Sequence, residues 1–149
     1  ELLEHEPIPG REEYLNSEKY ELKTRDWDAP GNIKSYIAQI NRLRQENAAL
    51  QQTSNVRFLF VPDDNVIAYV KHTNDQTNAV VTVASLSRDF KQFWLPLGDV
   101  MVRSGEGPER PVTTLENLKS GPRTPVNGGG VQLWIDPLHD PVLIFRCLS

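Results

Sequence analysis

Near residue 55 the spacing of apolar side chains changes from three-and-four to two, and this switch constrains the fold more than any other feature. Before it, Ile33, Tyr36, Ile37, Ile40 and Leu43 recur at helical steps, which predicts one helix over residues 32–50 with a single apolar stripe. Asn32 follows Pro30-Gly31 and stands where an N-cap belongs. After the switch the chain reads as short alternating runs: "NVRFLFV", "VIAYVKH", "AVVTVASL", "FKQFWLPL", the brief "DVMV", "VTTLENL", "VQLWID" and "VLIFRCL". Turn signals such as "PDDN", "TNDQTN" and "DPLHDP" separate them at intervals of about ten residues, and "SGEGPERP" reads as a loop. Such a series predicts a mainly β fold, an antiparallel sandwich or barrel, preceded by one amphipathic helix. Residues 1–31 are irregular and punctuated by Pro7, Pro9, Gly10, Pro30 and Gly31.

Composition narrows the function classes. The chain has 149 residues, 38% hydrophobic and 24% charged, which suits an ordinary globular domain. Its formal net charge of −4 argues against a nucleic-acid partner, because phosphate binding needs a clustered positive field. No apolar run is long enough for a spanning helix, so no membrane partner is expected. The lone Cys147 permits no internal disulfide and fits a reducing, cytoplasmic setting. The chain opens on Glu1 with Leu2 and Leu3 close behind, which reads like a cut through a larger protein or a processed start.

Catalytic and metal chemistries find little support. His5, His72 and His139 share no ligand spacing, so no metal site is expected. There is no Gly-x-Ser-x-Gly, and Cys147 lies in an apolar run without a cue for a base. "NGGG" at Asn127–Gly130 is followed by a strand instead of a helix, so it is a turn and not a phosphate loop. No catalytic residue and no cofactor are assigned. Trp27, Trp94 and Trp134 could stack on sugar rings, but the apolar neighbours of Trp94 and Trp134 place those two in the core.

One stretch carries a resemblance. "EEYLNSEKYELKTRDWD", Glu12–Asp28, is dense in charge and in aromatic and hydroxyl groups yet periodic in neither sense. With the "IAQINRLRQENAAL" that follows, it resembles the end of the catalytic barrel in α-amylase-type enzymes of glycoside hydrolase family 13. Within that family it is most similar to the bacterial maltosyltransferases that extend α-1,4-glucan from maltose 1-phosphate. The resemblance rests on Glu13 to Tyr20 and on Arg42 to Leu50, where Ala48 stands in place of a more usual Pro. The "NGGG" region departs from the pattern.

The resemblance implies that residues 1–51 are the last barrel loop and eighth helix, and that 52–149 are the family's C-terminal β-sandwich. It implies that "SEKY" lies at the barrel mouth, where such barrels keep their active sites, and that Lys19 and Tyr20 contact the maltosyl donor. An ammonium donor and a phenol suit sugar hydroxyls and a pyranose face. The family's catalytic carboxylates lie on earlier barrel strands whose motifs this chain does not contain. The implied partners are maltose 1-phosphate and α-1,4-glucan, and the resemblance leaves room for a homodimer of the full-length enzyme. Two other readings stay open: a non-catalytic carbohydrate-binding sandwich, which needs an exposed aromatic pair such as Trp94 with Tyr69, and the tail of another amylase-like hydrolase or trehalose-forming enzyme.

Overall fold

The computed structural model describes residues 2–15, 17, 20 and 22–149. It divides into two compact units, residues 1–42 and 43–149.

In the first unit the breakers make local turns. Pro7 and Tyr14 form an isolated antiparallel bridge, and the Leu15 amide donates to the Glu6 carbonyl at 2.6 Å. Arg25 pairs with Glu4 at 2.8 Å. Asn32 caps as expected, its Oδ1 accepting from the Lys34 amide at 3.2 Å. The helix α1, Lys34–Glu46, is shorter than the predicted 32–50. Of its apolar stripe, Leu43 is buried, Ile33, Ile37 and Ile40 are half-buried, and Tyr36 is exposed.

The second unit begins within α1, and Asn47 decides where that helix stops. Asn47 leaves the helical region (φ −125°, ψ 103°), and a 3-10 turn follows over Ala48–Gln51. Its buried side chain turns back, Nδ2 donating to the Leu43 carbonyl at 2.8 Å. That carbonyl lies in the last turn of α1. Asn78 then caps the 3-10 turn, its Oδ1 accepting from the Ala49 amide at 3.0 Å.

Ten strands follow, all paired antiparallel: β1 Val56–Leu59, β2 Val66–His72, β3 Ala79–Ser85, β4 Lys91–Pro96, β5 Met101–Arg103, β6 Glu109–Pro111, β7 Thr114–Asn117, β8 Arg123–Pro125, β9 Gly130–Ile135 and β10 Val142–Leu148. Six of them form one sheet in the order β1-β2-β3-β10-β7-β8, while β4 pairs with β9 and β5 with β6. One core cluster joins Val66, Ala68, Val70, Val81, Val83, Leu115 and Phe145 of the large sheet to Phe93, Leu95, Val131, Leu133 and Ile135 of the β4–β9 ladder. This is a two-layer β-sandwich with alternating inward side chains. The "SGEGPERP" loop contains a strand, β6, and β8 also arises where none was predicted; both are three residues long and end on proline.

Strand β3 departs from alternation, being buried from Ala79 through Val83. Its second face is covered because the 3-10 turn packs on β2 and β3. On that face the register aligns Lys71, Val80, Arg146, Glu116 and Arg123 across five strands. Arg146 links to Glu116 at 3.6 Å and donates to Asn47 Oδ1 at 3.3 Å, so charge at the sheet centre is partnered. "NGGG" forms a two-residue hairpin between β8 and β9. Asn127 and Gly130 exchange backbone hydrogen bonds, and Gly128 and Gly129 have φ of 61° and 80°, the left-handed pair that such a turn demands.

The tryptophan assignment needs correction. Trp94 is 45% exposed and Trp134 is 63% exposed, so neither belongs to the core. In β4 the core takes Phe93 and Leu95, and in β9 it takes Val131, Leu133 and Ile135. Period two then forces Trp94 and Trp134 outward. Trp94 has no pairing with Tyr69, which lies in the other sheet edge-on to Phe58, ring centroids 6.3 Å apart.

Candidate functional site

The segment Glu12–Asp28 belongs to the first unit. Lys19 lies outside the described residues. Tyr20 follows it with 85% of its surface exposed, and Tyr14, Leu15, Leu22 and Trp27 are exposed as well. Such a concentration of uncovered aromatic and aliphatic surface is unusual unless something binds or covers it. Part of the segment's order comes from short-range bonds. The Ser17 amide donates to the Tyr14 carbonyl at 3.2 Å, and the Ala29 amide to the Asp26 carbonyl at 3.2 Å. Asp26 Oδ1 accepts from the Asp28 amide at 3.0 Å. Asp28 pairs with Lys34 at 2.7 Å, and the Lys34 hydrogen bond and charge hold its carboxyl below the usual range. These contacts tie the end of the segment to the start of α1.

An open hollow in this unit is lined by Leu3, Glu4, Glu6, Leu15, Lys23 and Arg25 among others. It mixes apolar walls with charged side chains, Arg25 and Glu4 among them as an ion pair. The surface can therefore offer a phenol, hydroxyls and cations to a polar ligand.

Burial pushes the Cys147 thiol up to about 12, which removes it as a nucleophile. Asp136 accepts from the Leu138 amide and lies 2.7 Å from His139 Nδ1, so "DPLHDP" is a side-chain-stabilised turn between β9 and β10. Among the described residues no three His, Cys, Asp or Glu side chains come together to hold a metal, and no helix is long and apolar enough to cross a membrane.

No protein-family model matches the chain. Individual proteins do. It is 40% identical over 149 residues to an α-1,4-glucan:maltose-1-phosphate maltosyltransferase of Rhodospirillum rubrum, covering 98% of this chain and 21% of that protein. It is 41% identical over 153 residues to the protein of the same name from Chlorobaculum tepidum, covering 98% of this chain and 22% of that one. The corresponding protein of Pseudomonas aeruginosa is 37% identical over 149 residues, again with 98% of this chain covered. The chain thus spans about a fifth of the length of these relatives. In fold it is similar to a maltogenic α-amylase from Thermotoga neapolitana, with a TM-score of 0.53 over 82% of this chain and 28% of that one, at 13% identity. The matches run through nearly the whole chain, so by sequence the chain corresponds to one segment of the α-1,4-glucan:maltose-1-phosphate maltosyltransferase family, and by fold it is similar to part of a maltogenic α-amylase.

Proposed function

We propose that this chain is the C-terminal segment of a cytoplasmic maltosyltransferase, the end of whose barrel lies within residues 1–51 and whose sandwich is 52–149. The whole enzyme transfers maltosyl units from maltose 1-phosphate to α-1,4-glucan with retention, through a covalent carboxylate intermediate formed by residues outside this segment. Two such chains could assemble as a homodimer. The observation that carries the reading is identity of 37–41% across nearly the whole chain to proteins bearing that name.

In this reading Lys19 and Tyr20 border the donor. Lys19 donates hydrogen bonds to the sugar or phosphate, and the Tyr20 ring packs on a pyranose. Tyr20 is exposed in this segment, which leaves its ring open to a ligand. The test is steady-state kinetics of the full-length enzyme carrying Lys19→Ala. The specificity constant for maltose 1-phosphate should fall by roughly ten- to a hundredfold, the loss of a charged hydrogen bond, while the constant for glucan stays near wild type. An unchanged donor constant would refute the assignment. The 149-residue chain alone should turn over no maltose 1-phosphate.

A further inference from the structure

The outward face of the β4–β9 ladder has an unusual make-up. It presents Gln92 and Trp94 from β4, and Gln132 and Trp134 from β9. The register sets Gln92 opposite Trp134 and Trp94 opposite Gln132. Each indole therefore has an amide directly across the ladder, and the two indoles lie on a diagonal within reach of one ligand. All four side chains are exposed. No charged side chain points from this face. Lys91, at the start of β4, is turned to Asp63 at 3.2 Å and only partly accessible.

One of the rings is seated. Trp94 occupies the space that a side chain at position 130 would fill: a Cβ on Gly130 would stand 2.5 Å from Trp94 Cε2 and 2.6 Å from Cζ2. The glycine lets the indole settle on the backbone of the neighbouring strand, which lowers the entropy that a ligand must remove. Leaving two indoles in water is costly, and the same positions could have carried threonine or lysine at no loss to the core.

The chemistry selects a ligand. Indole faces take the C–H faces of pyranose rings, and primary amides both donate to and accept from hydroxyls. A face without cations does not attract phosphate, and one interrupted by glutamines lacks the continuous apolar centre of a protein interface. A ladder two strands wide suits a single neutral polysaccharide chain. We infer that Trp94 and Trp134, flanked by Gln92 and Gln132, form a non-catalytic docking face for one α-1,4-linked glucan chain. The linkage rests on the reading of the chain as part of an α-glucan enzyme; the stacking face rests on its own geometry.

The test is affinity electrophoresis of the 149-residue chain through gels containing a soluble linear α-1,4-glucan, with a soluble β-1,4-glucan as comparison. The expected result is retardation in the α-glucan gel alone, with Trp134→Ala and Trp94→Ala each weakening it about tenfold, as loss of an aromatic anchor does. Trp134→Ala should leave the unfolding midpoint in place, so it decides the matter even if Trp94→Ala disturbs the sheet. Absence of retardation, equal retardation in both gels, or retardation that survives the double substitution would overturn the inference. A chain that binds no glucan, beside a full-length Lys19→Ala enzyme with impaired donor use, would remove this face and leave the transferase reading intact. Binding through the tryptophans with donor use untouched would do the reverse.

Discussion

Asn47→Ala tests how the end of α1 is fastened to the sandwich. Asn47 is 0% exposed. Its Nδ2 donates to the Leu43 carbonyl at 2.8 Å, while its Oδ1 accepts long bonds from Asn78 at 3.3 Å and from Arg146 at 3.3 and 3.4 Å. The short bond dominates. Its removal takes a short, buried hydrogen bond from that carbonyl, at about 1–3 kcal/mol, and the three long contacts together add about 1 kcal/mol more. Arg146 keeps Glu116, so no charge is orphaned. The expected total is about 2–4 kcal/mol, measured by urea unfolding followed by far-UV circular dichroism, with the slope unchanged. A double-mutant cycle with Arg146→Met should give a coupling under about 1 kcal/mol, because the shared contacts are long. A loss below about 1 kcal/mol, or a coupling as large as the single loss, would refute the argument that the Leu43 carbonyl is what Asn47 serves.

Three further outcomes are expected. Gly130→Ala should destabilise by about 1–3 kcal/mol in the same assay, because the new Cβ would stand 2.6 Å from the Leu95 carbonyl oxygen, which the ladder holds in place. Asp75 is held at about 2 by hydrogen bonds from the Thr73 side chain and from the Thr77 amide and hydroxyl. Its folded value lies below the ordinary carboxylate value, so its contribution is present above about pH 4 and is lost as pH falls through about 2. Asp75→Asn should flatten the stability profile across that window, and an unaltered profile would mean the turn does not depend on the charge. Cys147, buried and with its thiol raised to about 12, should react with a neutral-pH thiol reagent only at the rate of unfolding; fast modification of the native chain would contradict its packing.

Much of the fold was legible because the signals were local. Period two marked eight of the strands, and the Pro-, Asp- and Gly-rich turns between them are made by side chains bonding to their own backbone, as Asp63 does to the Asn65 amide at 2.9 Å. The short strands β6 and β8 escaped because "ERP" and "RTP" carry no apolar side chain but their closing prolines and bury none, unlike the equally short β5; they are strands because β5 and β7 offer partners. The helix limit escaped too, since Asn47 is unremarkable until Asn78 and Arg146, distant in sequence, meet its oxygen. The Trp face was within reach. The apolar neighbours of both indoles point to the core, but strict alternation sets Phe93 and Leu95 against Trp94, and Leu133 and Ile135 against Trp134.

The sequence by itself determined the change from helix to strands, the turns, and the segment Glu13–Tyr20 that links the chain to a family. Tertiary structure alone decided which strands are neighbours, why β3 is buried on both sides, and that two indoles share one diagonal. The reason is physical. Propensity and turn chemistry act over a few residues, whereas burial and cross-strand neighbours depend on partners remote in the chain, as in the pairing of β4 with β9.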